Sequence, residues 1–146
     1  MIADDTVTVT TVVRADLAEA FRFFTEDIEA WWKRGPRYRL RDGAMRFEAG
    51  RLLEDEDQVG RVLAWEPAAR LVFELSTWNF RPGERTEVEV RFEAVGDGTR
   101  VTVEHRGWER RATGAAEFRT VVGLWWGTML PAIKKRLQAG GPRYDE

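Results

Sequence analysis

The sequence predicts an α+β fold in which one curved antiparallel sheet of about seven strands wraps around a long C-terminal helix, with two short helices inserted after the first strand. Three observations carry this reading. Between Gly60 and Trp108 the chain runs GRVLAWEPAARLVFEL, TEVEVRFEA, GDGT and RVTVEHRGW, period-two segments separated by turn residues, which specify an antiparallel meander. Upstream, Leu17, Ala20, Phe21 and Phe24 recur at helical spacing behind Asp16. Downstream, Phe118, Val122, Trp125, Met129 and Ile133 follow one another at steps of three or four residues, an amphipathic stripe within a helix expected over 113–137.

Each element has a local cause. Over 6–14 Val7, Val9, Thr11 and Val13 share one face and Thr8, Thr10 and Val12 the other, a β-branched alternation that reads as the first strand. Asp16 can accept hydrogen bonds from the free amides of the helix it precedes, and Thr25 is a second candidate cap, so two short helices broken near Thr25 are expected, the second carrying Ile28, Trp31 and Trp32. Gly35 and Pro36 stop that helix, and 33–41 reads as a basic loop around Tyr38. Short strands are expected over 44–48 and 50–54, and longer ones over 58–65, 71–78, 86–94 and 100–106, with Pro, Gly or Asp in the connections EPAAR, FRPGE and GDG. Pro131 removes one hydrogen bond from the final helix and bends it. Beyond Gly140-Gly141-Pro142 the tail 139–146 is expected to fray, leaving a single domain over 1–146 with its core at about 6–138.

Composition narrows the function classes. Apolar residues make up 43% and charged residues 33%, ordinary for a globular domain, and a formal net charge of −2 supplies no field for gathering phosphates, so nucleic acid is not an expected partner. With no cysteine and one histidine, disulfides, thiolate nucleophiles and a thiolate zinc site are excluded, and neither a metal nor a cofactor is expected. No run approaches the ~18 apolar residues of a membrane span and the N-terminus lacks a basic segment followed by an apolar one, so a soluble cytoplasmic protein is the expectation. Ser76, the only serine, lies in a strand rather than in a nucleophile elbow, and Gly96-Asp97-Gly98 is a hairpin turn with no lysine or helix behind it.

The candidate site is the dry face of the sheet. Val88, Val90 and Phe92 alternate with Glu87, Glu89, Arg91 and Glu93, so one face is apolar and needs a cover, and the final helix is the element long enough to provide it. His105 lies in register with Val101 and Val103 and points the same way, as a general acid or base, as a ligand contact, or as a structural residue bonded to a neighbour. Phe73, Val90, Phe92, Trp125 and Met129 line the space between sheet and helix, Trp31 or Trp32 closes one end of it, and Trp65 fills the core. Parity places Arg61 with Val59, Leu63 and Trp65, so either its guanidinium enters the interior toward an anionic ligand or a carboxylate, or a bulge shifts the strand. Trp78 on the outer parity, and Trp126 and Leu130 beside the buried stripe of the helix, would mark a contact between two copies or a cavity mouth. The basic loop and Arg106, Arg110 and Arg111 read as solvated surface.

The order of elements resembles the helix-grip architecture of the START-like, or SRPBCC, superfamily. The segments VVRADLAEAFRFFTEDIEAWW, GRVLAWEPAARLVFEL, TEVEVRFEAVGDGTRVTVEHRGWE and GLWWGTMLPAIKKRL look, more narrowly, like the group named after the activator of heat-shock-protein-90 ATPase, over about 6–137. The resemblance implies a hydrophobic cavity for a small apolar or aromatic molecule, with Trp31, Arg61, Phe73, Val90, Phe92, His105, Trp125 and Met129 as its expected lining. Other branches of the superfamily imply a cyclase or aromatase using the same cavity. The group's eponymous co-chaperone implies a protein-interaction module, although that protein carries a further domain ahead of this one, which speaks against a chaperone partner.

Overall fold

The structure, a computed structural model, describes residues 6–32, 43–76, 85–107, 126–131 and 133–135. Seven strands, β1 (Thr6–Val13), β2 (Met45–Glu48), β3 (Arg51–Glu54), β4 (Asp57–Glu66), β5 (Arg70–Leu75), β6 (Thr86–Val95) and β7 (Gly98–Arg106), form one antiparallel sheet in the order β1-β7-β6-β5-β4-β3-β2. The first and last strands in chain order, β1 and β7, therefore pair, and β1 and β2 form the two edges of the sheet.

Helix α1 (Leu17–Thr25) starts where expected: the Asp16 carboxylate accepts from the Glu19 amide at 2.8 Å while Glu19 accepts from the Asp16 amide at 3.0 Å, a reciprocal capping box. Its register is held by the Thr99 hydroxyl, which donates to the Ala15 carbonyl at 2.8 Å across 84 residues of sequence. Helix α2 (Ile28–Trp31) follows, and the break falls near Thr25 as expected. Thr25 does not cap α2, however. Its hydroxyl turns back to the Phe21 carbonyl at 2.8 Å, which satisfies it inside α1. A carboxylate oxygen of Glu29 instead accepts from the Met45 amide at 2.7 Å and ties α2 to β2.

Residues 126–131 and 133–135 are helical and form α3, the described part of the C-terminal helix. Trp126, Met129, Leu130 and Ile133 are buried and Gly127, Thr128, Pro131, Lys134 and Lys135 exposed. Met129 and Ile133 face the core as expected, but the buried stripe is wider than expected: Trp126 and Leu130 belong to it and offer nothing to a second copy. Trp125 and Trp78, like the basic loop 33–41, lie outside the described residues, as do Arg110 and Arg111.

Cross-strand register separates the two faces. Inward, Val7, Val9 and Thr11 stand opposite His105, Val103 and Val101, which in turn stand opposite Val88, Val90 and Phe92. Outward, six glutamates and six arginines interlock. Glu89 is the hub, at 2.7 Å from Arg70, 2.9 Å from Arg106 and 3.6 Å from Arg91, and Arg106 also reaches Glu87 at 2.6 Å and Glu104 at 3.2 Å. Arg61 and Arg85 flank Glu74, Arg70 adds Glu66, and Arg100 holds Glu93. Burial alone would raise the Glu89 carboxyl, but hydrogen bonds from Arg70 and Arg106 outweigh it and hold the pKa below its ordinary value.

Candidate functional site

The inner face of the sheet is lined by rings in contact with one another. Phe73 meets Phe47 edge-on at 5.4 Å, Phe47 meets Trp65 at 5.6 Å, and Trp65 meets Phe21 at 5.5 Å. The tract continues from Phe21 to Phe92 at 5.3 Å, to Phe24 at 5.6 Å and to Trp31 at 5.1 Å. Trp31 then contacts Trp32 at 5.4 Å and Trp126 at 6.1 Å, and Trp126 stands 6.2 Å from His105. Edge-to-face and tilted geometries dominate, the arrangement that the ring quadrupole favours. Phe73, Val90, Phe92, Trp31 and Met129 share one buried cluster, and His105 is buried against it. The expected lining is thus brought together, with two exceptions: Trp125, which is not described, and Arg61.

Arg61 does not enter the interior. The β4–β5 register slips between Val62 and Ala64, so one extra residue on β4 reverses parity: Arg61 pairs with Glu74 on the outer face and Trp65 with Leu71 on the inner one. The Arg61 side chain is 61% exposed and lies 3.4 Å from the Glu74 carboxylate. The bulge also exposes Leu63 at 44%. Trp65, although it faces the aromatic tract, is 43% exposed rather than filling the core. Beside it a groove of about 260 Å³ is lined by Phe47, Glu48, Ala49, Gly50, Val62 and Trp65. The tract therefore comes to the surface at the tight β2–β3 turn, where Ala49 and Gly50 have φ of 54° and 78°.

Trp31 and Trp32 are both buried, against the expectation that only one could face inward. Helix α2 ends at Trp31, and Trp32 is extended with φ −71° and ψ 120°, so helical periodicity no longer separates the two rings. The Trp31 indole Nε1 is buried with no hydrogen-bond partner, the sole such side-chain atom among the described residues.

His105 is pinned. The Trp126 indole can only donate, so its Nε1–H donates to Nδ1 at 3.0 Å, which leaves the imidazole proton on Nε2, donating to the Thr86 hydroxyl at 2.6 Å. Burial pushes the imidazole pKa down from 6.5 to about 3, so the ring is neutral at physiological pH. Both nitrogens serve to join α3 to β6 and β7, and neither is placed for acid or base catalysis. Sequence reading missed these partners. Thr86 could have been found, since the 88/105 register sets it diagonally beside His105, whereas Trp126 required the phase of α3.

Among the described residues no group of three or more His, Asp or Glu side chains is gathered where it could hold a metal ion, and no helix is long and apolar enough to cross a membrane.

With this geometry in hand, comparisons with known proteins are specific about kinship. The family model of activator of Hsp90 ATPase homolog 1-like proteins matches residues 12–138. Among solved structures, CalU16 from Micromonospora echinospora superposes with a TM-score of 0.62 at 20% identity, over 88% of this chain and 73% of that one. The Aha1 dimer from Colwellia psychrerythraea gives 0.63 at 17% identity, over 92% and 97%. DynU16, a protein of the dynemicin biosynthetic locus, gives 0.64 at 22% identity, over 97% of this chain and 50% of that one. At these identities the likeness is one of fold, and that fold is the helix grip. No curated protein matches the chain.

Proposed function

We propose that this chain, which belongs to the activator of Hsp90 ATPase homolog 1-like family, binds a small apolar or aromatic molecule against the ring-lined inner face of its sheet. The observation that carries the reading is the course of the aromatic tract, which runs from the buried Trp31–Trp126 end to a half-exposed Trp65 beside an apolar groove. A core built only for packing has no need of an indole left 43% exposed on its inward face. Desolvation supplies the affinity, at about 25 cal/mol per Å² of apolar surface removed from water, and the ring edges supply orientation.

A cyclase or aromatase using the same interior draws no support from His105, whose nitrogens are both engaged and whose pKa lies far below neutrality. For assembly, the Colwellia psychrerythraea neighbour is an Aha1 dimer, which supports a homodimer here.

The binding reading is tested by titrating 2-acetylnaphthalene into the protein and following tryptophan fluorescence. Saturable binding is expected, weakened by about 1–2 kcal/mol in Trp65→Ala through lost ring contact and apolar area. No saturation up to the solubility limit of the probe overturns the reading.

A further inference from the structure

Three indoles meet at the closed end of the aromatic tract, and their N–H groups are treated differently. That of Trp126 is supplied with the His105 acceptor at 3.0 Å. That of Trp31, in a residue only 9% exposed, has none. An orphaned buried donor typically costs as much as a lost hydrogen bond, a penalty that the smaller phenylalanine would not carry. Packing accounts for the size of the ring but not for its unpaired N–H. What stands around the ring is also informative: Phe24 at 5.1 Å, Trp32 at 5.4 Å and Trp126 at 6.1 Å, tilted at 50°, 50° and 40°. All three are uncharged π surfaces, and among the described residues none supplies the indole with an acceptor. A group completing the indole's hydrogen bond must arrive with an apolar body that these rings can stack on.

Resting on the ligand-binding reading above, we infer that the ligand is a neutral aromatic compound bearing an accepting oxygen, a ketone or quinone carbonyl by class, which takes the hydrogen bond of Trp31 Nε1. Neutrality follows from the surroundings: an ionised carboxylate or phosphate brought against three uncharged rings would exchange full hydration for one N–H, an exchange that costs far more than the bond returns. Trp31 is then the residue that separates oxygenated aromatics from plain hydrocarbons of the same shape. The discrimination arises because a hydrocarbon leaves the donor as unpaired as it is in the empty protein.

A matched pair of probes tests this. 2-Acetylnaphthalene and 2-isopropenylnaphthalene share a shape and differ by C=O against C=CH2. The ketone is expected to bind the wild-type protein roughly tenfold more tightly, and Trp31→Phe is expected to bring the two affinities together. Equal affinities in the wild type, or a preference that persists in Trp31→Phe, overturn the inference while leaving the ligand-binding reading standing. Failure of both probes to bind overturns that reading and this inference with it. A second measurement needs no variant: in wild-type protein carrying 15N-labelled tryptophan, the ketone should shift one indole N–H resonance downfield and slow its exchange with solvent, and the alkene should not. Identical spectra with the two probes overturn the inference.

Discussion

Protonation of the single histidine gives the most direct access to the interior. His105 is neutral in the native state because burial lowers its pKa to about 3, whereas the unfolded chain titrates near the ordinary 6.5. Above pH 6.5 both states carry a neutral ring, and the group adds no pH dependence. Below it the unfolded chain binds a proton that the native state refuses, so native stability falls as the pH drops from 6.5 toward 3 by about 1.4 kcal/mol per unit. Between pH 6.5 and 5 the loss attributable to His105 is about 2 kcal/mol, in a window that lies above the carboxylate titrations. Urea denaturation at intervals over that window, in the wild type and in His105→Gln, isolates the contribution as the difference between the two slopes. In the native protein the imidazole carbon-bound proton resonances, which belong to one residue, should stay flat across the window, and nitrogen shifts should report the Nε2–H tautomer. A native resonance with a midpoint near 6.5, or equal slopes for wild type and variant, would refute the assignment of His105 as a sealed link between sheet and helix.

Two further predictions concern the sheet. Gly60→Ala should destabilise by about 1–3 kcal/mol, because a Cβ there would lie 2.2 Å from the Glu74 carbonyl oxygen and 3.2 Å from Leu52 Cβ, forcing β4 away from both neighbours; the urea midpoint measures it. Glu89→Gln removes the shared partner of Arg70, Arg106 and Arg91 and should cost about 1 kcal/mol at low salt, shrinking in 0.5 M NaCl because two of those arginines are about 40% exposed; a midpoint unchanged at low salt would show that the outer lattice contributes nothing to stability.

The strands of the meander were legible because each connection carries its own turn chemistry, and the fold followed from their number and order. Face assignments held wherever period two ran unbroken, as from Val88 to Phe92 and from Val101 to His105. At β4 simple alternation gives way to the bulge that is the other reading of Arg61: one extra residue between Val62 and Ala64 puts Arg61 and Trp65 on opposite faces, and no residue type fixes where that bulge falls. Parity had placed Arg61 on the side of Trp65; in the structure the two lie on opposite faces. On the final helix Met129 and Ile133 face the core as expected, but the buried stripe is wider than one row: contact with His105 and Trp32 shows that Trp126 belongs to it as well. Val72 shows the limit of parity itself, since it lies opposite Glu89 on the outer face and is still 3% exposed.

Those two corrections bear jointly on how a ligand would reach the interior. Lifting α3 would part Trp126 from His105 and break a buried hydrogen bond, at about 1–3 kcal/mol for each buried group left unsatisfied. Parting Trp65 from Phe21 and Phe47 breaks only ring contacts worth about 0.5–1.5 kcal/mol apiece, and Trp65 already faces water over nearly half its surface. On the proposed reading, then, the Trp65 end is the cheaper door, and the bulge that removed Arg61 from the site is what places an aromatic there instead. On that same reading the histidine that drew attention in the sequence acts at the other end, joining the helix to the sheet while the rings bind.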